Sequence, residues 1–227
     1  MRQSAQYRED NVGKVWPLSG VAIRLGISQG LHRDPSYLPT NSLDVVQVEL
    51  RRRLWAQICH LDYRSAEALG HDPTITDEQF DTLMPSNIDD TSLVEGVSSI
   101  GPPTNAERFT DMTLHLIRLT GIQYLRRLIE NTSRFVKRAK LYEDGNESGF
   151  NMVKEQQALF EATKLTAEEM SDKLQTMYLK HCDIRITIQR YTIELGTVLE
   201  CKFWITFWLR LPREYREAVI AMDARAR

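Results

Sequence analysis

The 227-residue sequence has only three cysteines, Cys59, Cys182 and Cys201, and no two of them stand at CxxC spacing. An odd and scattered set excludes a disulfide framework and argues for a reducing compartment. It also excludes a zinc cluster built from cysteines of this sequence alone. Glycine and proline are scarce, at 11 and 8, so most of the chain is free to be regular structure. An excess of one charge is missing too: 29 Lys and Arg against 31 Asp and Glu leave −2, with no global pull toward nucleic acid or an anionic membrane. No long apolar run exists. The densest stretch, "CKFWITFWLRL" at 201–211, is too short to span a bilayer and reads as a buried helix, because helices apolar on every side are core helices. The N-terminal residues hold no apolar core of signal-peptide length. No GxSxG, P-loop or GxGxxG motif appears.

What is present is helical periodicity. Apolar content of 42% with 26% charged residues suits an ordinary globular domain. "WPLSGVAIRLGISQG" predicts a helix with Leu18, Val21, Ala22 and Leu25 on its apolar face and Gly30 as a left-handed stop. Asp44 is the expected N-cap of a helix reaching about Leu69, with Leu50, Leu54, Ile58, Leu61, Ser65 and Leu69 as its apolar stripe. At about 1.5 Å per residue it is about 40 Å long, the spine of the fold. Residues 71–103 read as irregular, with a short helix near "TDEQFDTL" capped by Thr76 and Gln79. Thr104 and Glu107 form a second capping box ahead of a long helix carrying Phe109, Met112, Leu116, Leu119, Leu125 and Leu128. "YEDGNESG" breaks the chain. A third long helix then runs to about Tyr178, with Leu159, Leu165, Met170, Leu174 and Met177. A last helix spans about 185–211 and stops at Pro212, and the tail after it is helical in propensity. Alternating strand patterns and internal repeats are both missing, so the fold class is all-α, a multi-helix array of long packed helices. The expected division is a lead-in at 1–15, one domain at 16–212 and a helical tail at 213–227.

Several residues compete for a functional role. "GLHRDPS" sets His32, Arg33 and Asp34 on a tight corner between Gly30 and Pro35, either a catalytic or ligand-binding loop or a corner that helices share. Arg51, Arg52 and Arg53 lie about 100° apart around a helix, which favours intrachain salt bridges or a solvated face over a phosphate patch. Asp62 borders the apolar stripe and so needs a partner, for which Arg24, Arg33 and Arg64 are the candidates. Asp62, Arg64 and Glu67 together could instead bind a ligand. His32, His60, His71, His115 and His181 never pair at metal-ligand spacing, so no metal site is expected. Cys182 beside His181 lacks the orienting group and oxyanion donors of a nucleophilic site. Phe203, Trp204, Phe207 and Trp208 could be plain core, an apolar ligand pocket or a dimer face.

The motifs reach further than the composition. "LSGVAIRLGISQGLHRDPS" followed by "ELRRRLWAQICHLDYRSAEALGHDPTI", then "FDTLMPSNIDDTSL" and "YLKHCD…IQRYTIELGTVLECKFW", resembles the middle homology region of fungal binuclear-zinc-cluster transcription factors. The likeness runs in order from about residue 16 to 212. It implies that GLHRD is a scaffold corner, and we expect Arg33 and Asp62 to help lock it. It implies a regulatory domain that acts by inhibition, dimer contacts or small-molecule sensing, in the nucleus, without touching nucleic acid itself.

The sequence departs from that pattern. The six-cysteine cluster and the helices that usually flank this region are not in it. Ile184 and Thr187 stand where prolines are common, and Ala56 where an aromatic is common. The departures leave three expectations open: a fragment of a transcription factor, a stand-alone competitor that dimerises with full-length relatives, or a stand-alone domain recruited as a small-molecule binder or cyclase/isomerase-type enzyme. A stand-alone protein would make the location cytoplasmic. No catalytic residue is assigned and no cofactor is expected in this chain, zinc entering only with an upstream cysteine cluster. The partners foreseen are a homo- or heterodimer and a small-molecule ligand, with no membrane.

Overall fold

The structure is a computed structural model that describes residues 16–37, 43–93, 105–143 and 151–226, with side chains to residue 220. Six helices form among the described residues: α1 (16–28), α2 (Val45–Leu69), α3 (Thr113–Glu143), α4 (Met152–Met177), α5 (Thr187–Arg210) and α6 (Arg213–Ala226). No strand occurs among those residues. The all-α expectation therefore holds. The chain divides into two compact units, Met1–Leu119 and Thr120–Arg227, with the boundary inside α3.

The helix ends follow local chemistry. Asp44 caps α2 by accepting the Gln47 N–H at 2.8 Å, while the Gln47 side chain accepts the Asp44 N–H at 3.2 Å. This reciprocal box satisfies two donors that a helix start leaves bare. Gly70 ends α2 in the left-handed conformation. Asn151 caps α4 by accepting from the Lys154 N–H. The helix expected near Thr76 is only a 3-10 turn, Asp77–Gln79, with the Gln79 side chain accepting the Thr76 N–H.

Two helices of the first unit are rotated from the faces their leucines suggest. On α2 the buried positions are Val48, Glu49, Arg52, Trp55, Ala56, Ile58, Cys59, Asp62, Tyr63, Ser65 and Ala66. Leu50, Leu54 and Leu61 of the expected stripe are about half exposed, at 54%, 51% and 47%. The physical reason is that three charged residues belong to the inner face, each with partners, and they hide its periodicity. On α1 the buried residues are Ser19, Ile23 and Gly26, while Leu18, Val21 and Leu25 are exposed. The core of this unit is Ile23, Leu31, Trp55, Ile58, Cys59 and Ile75, with Phe80 packed against it.

The long helix placed after Thr104 starts later, at Thr113. Thr104 itself lies outside the described residues. Asn87 holds 105–112 out of the helix: its side-chain amide donates to the carbonyls of Ala106 and Arg108, and its oxygen accepts from the hydroxyls of Thr110 and Thr113.

The second unit is built from α3 beyond Leu119 together with α4, α5 and α6. Leu125, Leu128, Met170, Leu174, Phe203, Phe207, Leu211 and Val219 are nearly or wholly inaccessible. α3 and α5 approach closely at Gly121, where a Cβ would lie 2.8 Å from the Leu199 side chain. The tail forms α6, and Tyr215 on it stacks edge-on to Phe135 with ring centroids 5.5 Å apart.

Candidate functional site

The corner begins with a helix stop. Gly30 has φ +68°, a conformation that costs other residues a Cβ clash. Its N–H donates to the Ile27 carbonyl at 2.9 Å and that of Leu31 to the Gly26 carbonyl at 2.9 Å, a paired closure that drops Leu31 into the core. Arg51 then donates to the carbonyls of Gln29 and Gly30 at 2.9 and 3.0 Å.

The next turn buries a carboxylate. Asp34 is fully inaccessible. Arg52 meets it side-on, Nε to Oδ2 at 2.8 Å and Nη2 to Oδ1 at 2.9 Å. The Ser36 N–H and hydroxyl donate to Oδ1 at 3.0 and 2.5 Å, and the Leu83 N–H donates to Oδ2 at 2.9 Å. Burial by itself raises the Asp34 carboxyl, but Arg52, Ser36 and Leu83 outweigh it and hold it far below the ordinary range. Arg52 is correspondingly raised, first through its bond to Asp34. Five donors on one carboxylate, counted over those bonds, use all of its about four lone-pair sites. Nothing remains to accept a proton or a ligand.

Residues 81–90 close the corner from the other side. The Asp81 N–H donates to the His32 carbonyl at 3.0 Å, and Asp81 Oδ1 accepts the Asp34 N–H at 2.8 Å. Thr82 donates to the Leu31 carbonyl at 2.6 Å. Further along α2, buried Glu49 accepts the Ser86 N–H and the Arg53 Nε, and Arg53 also reaches Asp90 at 2.6 Å. Asp89 accepts the Asp111 N–H and pairs with Arg108.

Arg33 and Asp62, expected to help lock the corner, do not pair with each other. Arg33 pairs with Asp81 at 2.8 Å on the surface. Asp62, fully buried, accepts the backbone N–H groups of Thr74 and Ile75 at 3.1 and 2.9 Å. Each carboxylate oxygen of Asp62 thus accepts from a backbone amide, in place of the arginines proposed for it. His32 packs against Trp55 with the rings tilted by 55° and centroids 6.1 Å apart, and its buried Nδ1 has no hydrogen-bond partner. Arg64 pairs with Glu67, which also accepts from the Tyr63 hydroxyl. The structure thus brings Arg33 and Asp34 to one corner with His32, and leaves Asp62, Arg64 and Glu67 apart from it. Arg52, one of the three arginines expected to favour intrachain salt bridges, makes one with Asp34, while Glu49, Asp81 and Asn87 organise the corner without having been singled out. The usable signal was a pair of motifs, an Asp after "GLHR" and an Arg triplet 18 residues later.

Trp204 and Trp208 are half-buried beside the buried Phe203 and Phe207 of the second unit. Phe160 of α4 lies 6.4, 6.1 and 6.3 Å from Trp204, Phe207 and Trp208. A surface cleft of about 320 Å³ runs beside them, lined by Lys164, Glu168, Met170, Glu200 and Trp204 among others. A second, of about 220 Å³, includes Arg134, Phe135, Arg138 and Glu155. No group of three His, Cys, Asp or Glu able to hold a metal exists among the described residues. No helix among them is long and apolar enough to cross a membrane.

A corner of helices whose "GLHRD", "RRRLW" and "NIDD" segments are bonded to each other or to the backbone around them, with every oxygen of Asp34 engaged, has the build of a scaffold. The family model of the fungal specific transcription factor domain matches residues 4–178. The chain belongs to that family. It is similar to the C6 finger domain transcription factor hasF of Aspergillus fumigatus, 46% identical over 98% of this chain and 29% of that protein. It is also similar to the pyriculol/pyriculariol biosynthesis cluster transcription factor 1 of Pyricularia oryzae, 27% identical over 81% of the chain and 24% of that protein. The aurofusarin cluster transcription factor aurR2 of Gibberella zeae matches at 36% over 46% of the chain and 15% of its own length. The chain therefore spans less than a third of the length of these relatives. No solved structure matches. A regulatory role in transcription follows from the family, and the enzyme alternative has no support beside it.

Proposed function

We propose that this chain is the regulatory middle segment of a nuclear transcription factor that controls a cluster of biosynthetic genes. The similarity over 98% of the chain to a transcription factor more than three times its length carries this reading. Two relatives narrow it, one named for a biosynthesis cluster and one for an aurofusarin cluster. The segment supplies no DNA contact: the net charge is −2, and the arginines of "RRRLW" are engaged with Asp34, Glu49, Asp90 and backbone carbonyls. It carries no cofactor of its own, and zinc enters only through a cysteine cluster elsewhere in a longer protein. Its partners are protein surfaces, in a homo- or heterodimer, and a small molecule in one of the clefts.

A segment exchange tests the reading. The corresponding part of the Aspergillus fumigatus relative is replaced by this chain, and transcripts that depend on that relative are measured. Retained transcription, lost when Asp34→Ala is introduced, supports a regulatory segment. A stable nuclear chimera whose transcripts match those of a plain deletion of the segment overturns it.

A further inference from the structure

Two cations lie over one tyrosine ring in the second unit. Tyr124 of α3 is buried. The Arg127 guanidinium, one turn along the same helix, stands 5.4 Å from its ring centroid, and the Lys173 amine of α4 stands 5.8 Å from it. Each cation is attracted to the ring, but the two repel each other. Lys173 is partly buried and forms no ion pair with a carboxylate among the described residues. Glu169 stands one turn before it on α4, at a spacing that often pairs Glu with Lys. Its charge, with that of Asp172, is felt by the Tyr124 phenol instead. Burial, then the charge of Arg127, hold the Lys173 amine below the ordinary lysine range. Arg127 stays a cation whatever else it bonds to. Lys164, also on α4, is the internal comparison. It too is partly buried, with its amine 5.1 Å from the Phe160 ring centroid, but no second cation stands over that ring among the described residues.

We propose that Lys173 is an acylation site, modified by an acyl thioester such as acetyl-CoA. The inference rests on α3 and α4 alone and stands apart from the regulatory reading. A desolvated lysine beside another cation is an activated nucleophile, because more of it is neutral amine at a pH where an ordinary lysine is ammonium. The neutral amine attacks the thioester carbonyl. The N–C bond forms, the C–S bond breaks, and the sulfur leaves as a thiol that carries away one amine proton. The step needs no oxidant or reductant. The product amide is uncharged, so acylation ends the opposition of two cations over Tyr124.

The whole chain is incubated with acetyl-CoA across a pH series, and the modification rate at each lysine is read by peptide mass spectrometry. At neutral pH Lys173 is expected to lead Lys164 and the exposed Lys154 and Lys180. Its rate is expected to reach half of its maximum at a lower pH than theirs. Arg127→Gln moves that half-point up and narrows the lead, while Arg127→Lys, which keeps the positive charge, preserves both. Circular dichroism checks that each variant is folded. The series is repeated on the full-length Aspergillus fumigatus chimera, where the rest of a longer protein surrounds the site. A Lys173 that reacts no faster than Lys164 overturns the proposal. So does a half-point that Arg127→Gln leaves unmoved, and so does a Lys173 left unmodified in the chimera.

Discussion

Before Leu119 the buried side chains include Asp34, Glu49, Arg52 and Asp62, and each bonds to chain at least a helical turn away in sequence. After Thr120 the buried polar side chains are mostly threonines, and Thr132, Thr163 and Thr192 return their hydroxyls to the carbonyl four residues earlier. The first unit has many irregular residues to hold and few helices to hold them. Directional polar bonds fix where residues 71–93 and 105–112 lie. The second unit's described core is almost all helix, with Leu211 in the turn between α5 and α6, and apolar packing, which has no direction, suffices once the helices exist. Polar groups are buried where a shape must be specified, and apolar ones where helices need only be pressed together.

The sharpest way to break this contrast is Asp34→Ala. It strands a buried guanidinium and the N–H groups of Ser36 and Leu83, and should cost about 3–5 kcal/mol. In segment-resolved hydrogen exchange the loss of protection is expected in residues 31–37, 49–56 and 81–90, and not in α4 or α5. Gly121→Ala acts in the second unit by overpacking against Leu199, at about 1–3 kcal/mol. A lowered thermal midpoint with α4 and α5 affected first is the expected outcome.

Titration separates the units by sign. Asp81 is lowered by Arg33 and by the Asp34 N–H, Asp89 by Arg108 and the Asp111 N–H, and Asp34 lies lower still. Stability from depressed carboxyls is full above their unfolded value of about 3.9 and is lost as pH falls through the lower folded values. In the second unit, burial and then the bond to Glu143 push Tyr215 up to about 12. That contribution is full below the unfolded phenol value of about 10 and is lost as pH rises through 12. Asp183 there is lowered too, but only by Arg185 two residues away. Acid should open the first unit before the second, and alkali the second before the first, as read by exchange of the two sets of peptides. The smallest effect is expected for Arg33→Ala: its pair with Asp81 is exposed, so chemical denaturation should show under about 1 kcal/mol. A cost like that of Asp34→Ala would move the lock from Arg52 back to Arg33.

The order of the long helices, the ends of α2 and α5 and the caps at Asp44 and Gly70 were legible because each rests on a few neighbouring residues. The facing of α1 and α2 was not. Periodicity assigns leucines inward, and on α2 the inner face is written partly in Glu49, Arg52 and Asp62, which read as surface until their partners are known. Those partners lie 13 to 37 residues away, at Ile75, Asp34 and Ser86, on segments without periodicity. The same distance hid the delayed start of α3, which depends on Asn87. The family resemblance carried the role of GLHRD as a corner, since local chemistry could not separate a bonded Asp34 from a reactive one.

The Asp34–Arg52 pair also limits the routes by which this gene can change. Exchanging the two by Asp34→Arg with Arg52→Asp keeps the net charge, yet it turns a cation toward the amides of Ser36 and Leu83, which demand an acceptor. Each single step on the way leaves one charge without its mate. The two codons are therefore expected to pass down lineages as one linked unit, while the codons for Leu50, Leu54 and Leu61 drift among residues that a half-exposed helix face accepts.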